Sequence, residues 1–284
     1  MKTQKLSYLI IALVAALALF STSCKKSYDT PSTPLVVTGL QLTANTKLGT
    51  IITDNNGYSL YFFSKDAASV STCVDGCALT WMPFYKDSPV LGTGLNASDF
   101  AVITRTDGSK QTTFKGWPLY YYAKDAAPGD TNGDAFGNLW AIAKADYSVM
   151  FSNAQLIGLD GAQYTELGVA GVAVSQYLVD ATGRTLYQFS KDTHNTNTFT
   201  KADLSNNTVW PMAEVVAIGN IPTVLDKTLF STITVFGHTQ LVFKGHPLYN
   251  FGQDAGVRGS TKGVSFPTPG AAIWKINNNN TVAL

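Results

Sequence analysis

Ten residues beginning at Gly57, GYSLYFFSKD, return as GWPLYYYAKD from Gly116, as GRTLYQFSKD from Gly183 and as GHPLYNFGQD from Gly245. A unit repeated along a chain means that one supersecondary element is being reused, which constrains the fold more than any total can. The shared pattern GxxLYx[FY]xxD places Gly57, Leu60, Tyr61, Phe63 and Asp66 in the first copy and Gly116, Leu119, Tyr120, Tyr122 and Asp125 in the second. Gly183, Leu186, Tyr187, Phe189 and Asp192 make the third, and Gly245, Leu248, Tyr249, Phe251 and Asp254 the fourth. Copies one and three are 126 residues apart and copies two and four 129, so a module holding two copies is used twice.

Other landmarks keep the same period. Trp81 in TWMPF answers to Trp210 in VWPMA, TTFKGWPLY to LVFKGHPLY, and each module closes on a tryptophan strand, LWAIA at Trp140 and IWKI at Trp274. The expected division is a first module over 45–157 and a second over 165–284, with the seam in the glycine-bearing stretch 158–168.

Short runs rich in β-branched and aromatic residues flank an Asn-Gly, Thr-Gly or Lys-Gly pair in each copy, which is a hairpin signal, and glycine supplies the positive φ that such turns demand. No helical periodicity is sustained beyond the leader, so the expected class is all-β, two tandem modules built of hairpins as a barrel, a sandwich or blade-like sheets. Side chains alternate faces along a strand, so the motif tyrosine and the aromatic two residues later share one face, expected to be core. The other face carries Phe62, Tyr121, Gln188 or Asn250, a mixture expected near solvent. The closing aspartate falls just past the strand, where a short carboxylate accepts hydrogen bonds from turn amides.

Few residues invite a chemical reading. Motif Tyr and Asp could serve as an acid and base, but no active site needs four dispersed copies with the rings on a core face, so the motif reads as structural and no catalytic residue is assigned. His246 fills a slot held elsewhere by Tyr58, Trp117 and Arg184, a tolerance that predicts exposure; His238, eight residues earlier, could pair with it on a metal, but no carboxylate or cysteine accompanies them at ligand spacing. PGDTNGD, 128–134, has oxygen donors but a glycine out of register for a calcium loop, and reads as a solvated turn. Phe62, Tyr121, Tyr58 and Trp117 would stack on sugar rings if exposed, or pack between modules if not. No metal and no cofactor is expected.

The first residues set the compartment. Lys2 and Lys5 precede an apolar run from Leu9 to Phe20 and then Ser21, Thr22, Ser23 and Cys24. That run is too short for a bilayer, where a helix needs roughly 20 residues, and reads as an export signal over 1–23. Its end resembles the lipobox of bacterial lipoproteins, whose cysteine is acylated: Cys24 is the expected lipid anchor, and 24–44 its proline-bearing tether. Lys25 directly after it favours, by resemblance to the enterobacterial sorting rule, the outer membrane. Loss of Lys2 and Lys5 with the leader turns the formal charge of +1 into −1, which argues against nucleic acid as a partner; membrane reached through the lipid is the one partner implied. In an oxidising compartment Cys73 and Cys77, spaced CxxxC, are expected to form a disulfide.

The Tyr-x-aromatic-x-x-Asp repeats together with CVDGCALTWMP resemble the secreted-repeat lipoproteins of unknown function, known for a Yx(FWY)xxD motif and a CxxxCAxxWPP element. Met82 stands where that family has the first proline, and the second module keeps VWP without either cysteine. The resemblance implies no activity. The function expected is an exported, lipid-anchored envelope protein, a binding or structural component and not an enzyme, with glycan binding and metal or redox work as the alternatives.

Overall fold

All four motif glycines adopt the backbone that the turns require, with φ of 88° at Gly57, 79° at Gly116, 85° at Gly183 and 84° at Gly245. Lys115 and Lys244 before two of them are also left-handed, at 46° and 50°. Two consecutive positive φ values define the type I′ turn, whose twist matches that of the strands it joins. The computed structural model describes residues 36–284; the leader, Cys24 and most of the tether lie outside the described residues.

The first module comprises β1 (Gly39–Asn45), β2 (Gly49–Asp54), β3 (Tyr61–Phe63), α1 (Gly76–Thr80), β4 (Trp81–Pro83), β5 (Val90–Leu91), β6 (Phe100–Thr104), β7 (Lys110–Phe114), β8 (Trp117–Pro118), β9 (Tyr120–Tyr122) and β10 (Trp140–Ile142). The second comprises β11 (Val149–Ile157), β12 (Gln163–Tyr164), β13 (Val174–Asp180), β14 (Tyr187–Phe189), β15 (Phe230–Val235), β16 (His238–Phe243), β17 (His246–Tyr249) and β18 (Trp274–Ile276). The class is all-β, in several small sheets without barrel closure.

At the heart of the first module lies the sheet β10-β3-β9-β4. Motif strands β3 and β9 run antiparallel with Tyr61 directly opposite Tyr120, and each takes a tryptophan strand on its outer side, Phe63 against Trp140 and Tyr122 against Trp81. The second module repeats this order: β18-β14-β17 sets Tyr187 opposite Tyr249 and Phe189 opposite Trp274, and a single bridge from Met212 to Tyr249 takes the place of β4. Each module is therefore two half-units facing one another across their motif strands. The paired tryptophans stack nearly parallel at 3.6 Å, Trp81 on Trp140 and Trp210 on Trp274; the edge-on contacts that Tyr61 makes with Trp81 at 5.4 Å and Tyr187 with Trp210 at 5.3 Å add to simple area burial.

Two expected boundaries move. Folded chain begins earlier than 45, because β1 pairs along β2 from Leu40 to Asn45. The seam lies near 143–148, because β11 pairs with β13 over seven residues; the glycines of 158–168 belong to the long connection between strands of the second module's opening hairpin. Across the seam, Arg258 donates to the carbonyls of Ala67 and Lys115 at 2.9 and 2.6 Å, and to that of Thr182. Its guanidinium lies 5.0 Å from the Trp117 ring and fills the space beside Gly116 and Gly183, where a Cβ on either glycine would come within 2.8 Å of it.

Candidate functional site

The motif tyrosines and aspartates are joined crosswise. Tyr61 donates to Asp125 at 2.5 Å and Tyr120 to Asp66 at 2.5 Å; Tyr187 donates to Asp254 at 2.7 Å and Tyr249 to Asp192 at 2.8 Å. Antiparallel pairing of the motif strands causes this: with the tyrosines opposite one another, each phenol points along its partner strand to the end where that copy's aspartate sits. The remaining carboxylate oxygen takes turn donors, Thr72 for Asp66, Asn132 for Asp125, Thr198 for Asp192 and Ser260 with Lys262 for Asp254. Burial raises all four phenols, so they stay protonated donors. Burial also pushes the Asp66 carboxyl up to about 6, against the downward pull of the Tyr120 and Thr72 hydrogen bonds and the Arg105 charge, and raises Asp125, Asp192 and Asp254.

The tyrosines of these pairs are core, and of the aspartates Asp125 is half-buried and the other three buried. All four tyrosines have no exposed surface, and Gly133 and Gly263 are pressed onto the Tyr61 and Tyr187 rings, leaving no room for a Cβ. Gly133 comes from the stretch read as a solvated turn; it is buried there, with its amide directed at the Tyr61 hydroxyl at 3.3 Å. Cys73 and Cys77 form the expected disulfide, Cα to Cα 5.2 Å, with Cys73 buried.

The opposite strand face is less solvated than expected, because the neighbouring module covers it. Phe62 is 2% exposed and Trp117 1%, in one apolar cluster with Tyr147 and Met150 from the start of the second module, and the Trp117 indole donates to Ala181 at 3.1 Å. A void of only about 10 Å³ remains among these residues. Two of the rings considered for sugar stacking are thus interior. His246 is also buried, 7% exposed, contrary to the expectation from its variable slot. It is not brought together with His238: the two stand at opposite ends of the β16–β17 hairpin, His246 paired with Phe243 and His238 with Val235, and His238 lies 3.0 Å from Glu214. Among the described residues no group of three or more His, Cys, Asp or Glu is placed to hold a metal.

The second module's equivalent face differs in chemistry. Motif register places Gln188 at the Phe62 position, His246 at the Trp117 position and Lys275 at the Ala141 position, and the last pairing repeats, Phe62 opposite Ala141 and Gln188 opposite Lys275. The segment 278–284 lies against them instead. They line a recess of about 290 Å³ with Glu166 and the segment 278–284. Glu166 is held by Asn278 at 2.5 Å and Asn280 at 3.2 Å. His246 Nε2 lies 2.8 Å from the Val282 carbonyl, which fixes that nitrogen as the donor and leaves Nδ1 a bare acceptor in the neutral ring; burial lowers the imidazole pKa and keeps it neutral. Both His246 Nδ1 and Gln188 Oε1 are buried without a hydrogen-bond partner, a costly state that native proteins rarely tolerate unused. The exchange of apolar for polar residues was readable from the aligned copies; that a neighbour covers one face and not the other was not.

Comparison with known families meets this geometry at the level of the half-unit. A family model described as a secreted repeat of unknown function matches residues 42–85 and 101–144, each stretch running from a hairpin strand through one motif copy to its tryptophan strand. Residues 42–85 and 101–144, within the first module, each match this secreted repeat. The repeat unit is therefore half the module expected from the longer period, and the second module, outside the matched residues, repeats the same crossed Tyr–Asp construction. No curated protein and no solved structure matches the chain. No helix among the described residues is long and apolar enough to cross a membrane.

Proposed function

We propose that this exported secreted-repeat protein is a binding component of the cell envelope, tethered by a lipid on Cys24, and that the recess at Gln188, His246 and Lys275 takes a small hydroxyl-rich ligand such as the terminal unit of a glycan. The observation that carries the reading is the exchange of Phe62, Trp117 and Ala141 for Gln188, His246 and Lys275 at equivalent positions, with a void of about 10 Å³ in one module and about 290 Å³ in the other. Solvation alone would favour polar residues on an uncovered face. It does not call for a recess of this size. A hydroxyl both donates and accepts, and so suits the Lys275 ammonium and the Glu166, Asn278 and Asn280 side chains that line it.

A ligand held only by the folded state at a hundred times its Kd stabilises by about 2.7 kcal/mol. Melting of the protein against a panel of hexoses, amino sugars and uronic acids should show a rise for at least one, and the Gln188→Phe/His246→Trp variant, which restores the first module's pair, should lose it. No rise from any sugar, or a rise that survives the double variant, overturns the site. For the anchor, Cys24→Ala should move the protein from the detergent to the aqueous phase on partitioning; an unchanged distribution overturns the lipid. The crossed Tyr–Asp pairs are read as framework: all four tyrosines and three of the four aspartates are buried, with Asp125 half-buried.

A further inference from the structure

Lys144 follows the last residues of the first module and is 6% exposed, yet its ammonium reaches no carboxylate: Nζ donates to the Leu48 carbonyl and, at 3.0 Å, to Asn220 Oδ1. Asn220 is set in place by its backbone. Its amide donates to the Asp146 carbonyl at 3.0 Å and its carbonyl accepts from Ser148 at 3.0 Å, a parallel bridge across Tyr147. Its side-chain Nδ2 donates to Asp146 Oδ2 at 2.7 Å. One amide carbon thus stands between a buried amine and a carboxylate held on its leaving nitrogen.

We infer that Lys144 and Asn220 join in an intramolecular isopeptide bond, with the Asp146 carboxylate holding the leaving nitrogen, stapling the seam to the 214–222 loop of the second module. The neutral amine's lone pair on Nζ attacks Asn220 Cγ, forming the Cγ–Nζ bond. The Cγ–Nδ2 bond breaks, and the proton that Nζ gives up passes within the tetrahedral adduct to Nδ2, which the Asp146 carboxylate holds, so that Nδ2 leaves as ammonia. A secondary amide and one ammonia result, with no change of oxidation state and no co-reactant. Two requirements of such a reaction are met. Nζ is hydrogen-bonded to Oδ1, one bond from the carbon it attacks, which brings the reacting groups together, and burial lowers the Lys144 pKa, which favours the nucleophilic free amine.

Tryptic mapping of the full-length protein tests this. The bond blocks cleavage after Lys144, so residues 125–184 should appear joined to 202–227 as one branched peptide lighter than the two chains by one ammonia. Lys144→Arg should release the linear peptides, and Asp146→Ala should do so while leaving Lys144 and Asn220 in place. Linear peptides 125–144 and 202–227 at their sequence masses from the wild-type protein would overturn the bond. A branched peptide that persists in Asp146→Ala would overturn the role of Asp146.

Discussion

The two modules close the same corner of their cores by different means. In the first, the chain after Asp66 runs through Thr72 to the Cys73–Cys77 disulfide, and Arg105 fills the space beneath with bonds to Ser71, to Gln111 at 2.7 Å and to the Cys73 carbonyl at 2.7 Å. In the second, the chain after Asp192 runs through Thr198 to Phe199, whose ring lies 4.9 Å from Trp274 and 5.1 Å from Phe189. Asn197 there takes the place of Ser71 and the Arg105 guanidinium, donating to Gln240 at 2.8 Å. The comparison teaches that the crossed Tyr–Asp pairs are the common requirement, and that the clamp over them is replaceable. A covalent bridge holds by restricting the unfolded chain; an aromatic side chain holds by burying surface.

That contrast can be broken at several points. Tyr187→Ala and Tyr61→Ala should each cost about 3 to 5 kcal/mol, as large core truncations do, and Phe199→Ala should approach them; denaturant unfolding that leaves either tyrosine variant at wild-type stability would remove the tyrosines from the framework. Next comes pH. Asp66 titrates in the folded protein at about 6, above its ordinary value of 3.8. The folded state then binds the proton more tightly, so this group's contribution is full below the unfolded value and is lost as pH rises through the folded one, by up to about 3 kcal/mol. Melting should therefore be higher at pH 5 than at pH 7.5, and Asp66→Asn should flatten the difference; a stability that climbs over this interval in the wild type and in Asp66→Asn alike would contradict the raised carboxyl.

Smaller effects sharpen the contrast. Reducing the disulfide should cost about 2 kcal/mol, the entropy of so short a loop, less than Phe199→Ala costs in the other module. If reduction proves the costlier, the equivalence of the two clamps fails. Gly183→Ala should cost about 1 to 2 kcal/mol for its left-handed backbone, with a further loss from displacing Arg258. In an Arg258→Ala background the further loss should vanish, which a double-mutant cycle reads directly.

Much of this was legible in the letters. The period, the turn glycines, the all-β class and the disulfide follow from local chemistry, which each copy states for itself. Crossed pairing does not: Tyr61 and Asp125 are 64 residues apart, and only the antiparallel alignment of two copies brings them together. The seam is not legible in the glycines at 158, 161 and 168, which mark a linker and a long hairpin connection equally well; only the β11–β13 register separates the two. Burial of Phe62 and Trp117, and the contrasting recess at Gln188 and His246, depend on what lies across the module boundary, which no residue of the strand itself reveals.

The matched lysines carry one more consequence. Lys115 grips the Ala145 carbonyl at 2.8 Å as the chain leaves the first module, and Lys244 grips that of Asn279 at 2.8 Å as it leaves the second. A third copy spliced after Asn279 would start from the same handhold. It would then meet Gln188 and His246 where an aromatic bed is needed, and the stack would not propagate. Polarity at those positions would leave such a copy without the apolar bed that Phe62 and Trp117 give the second module.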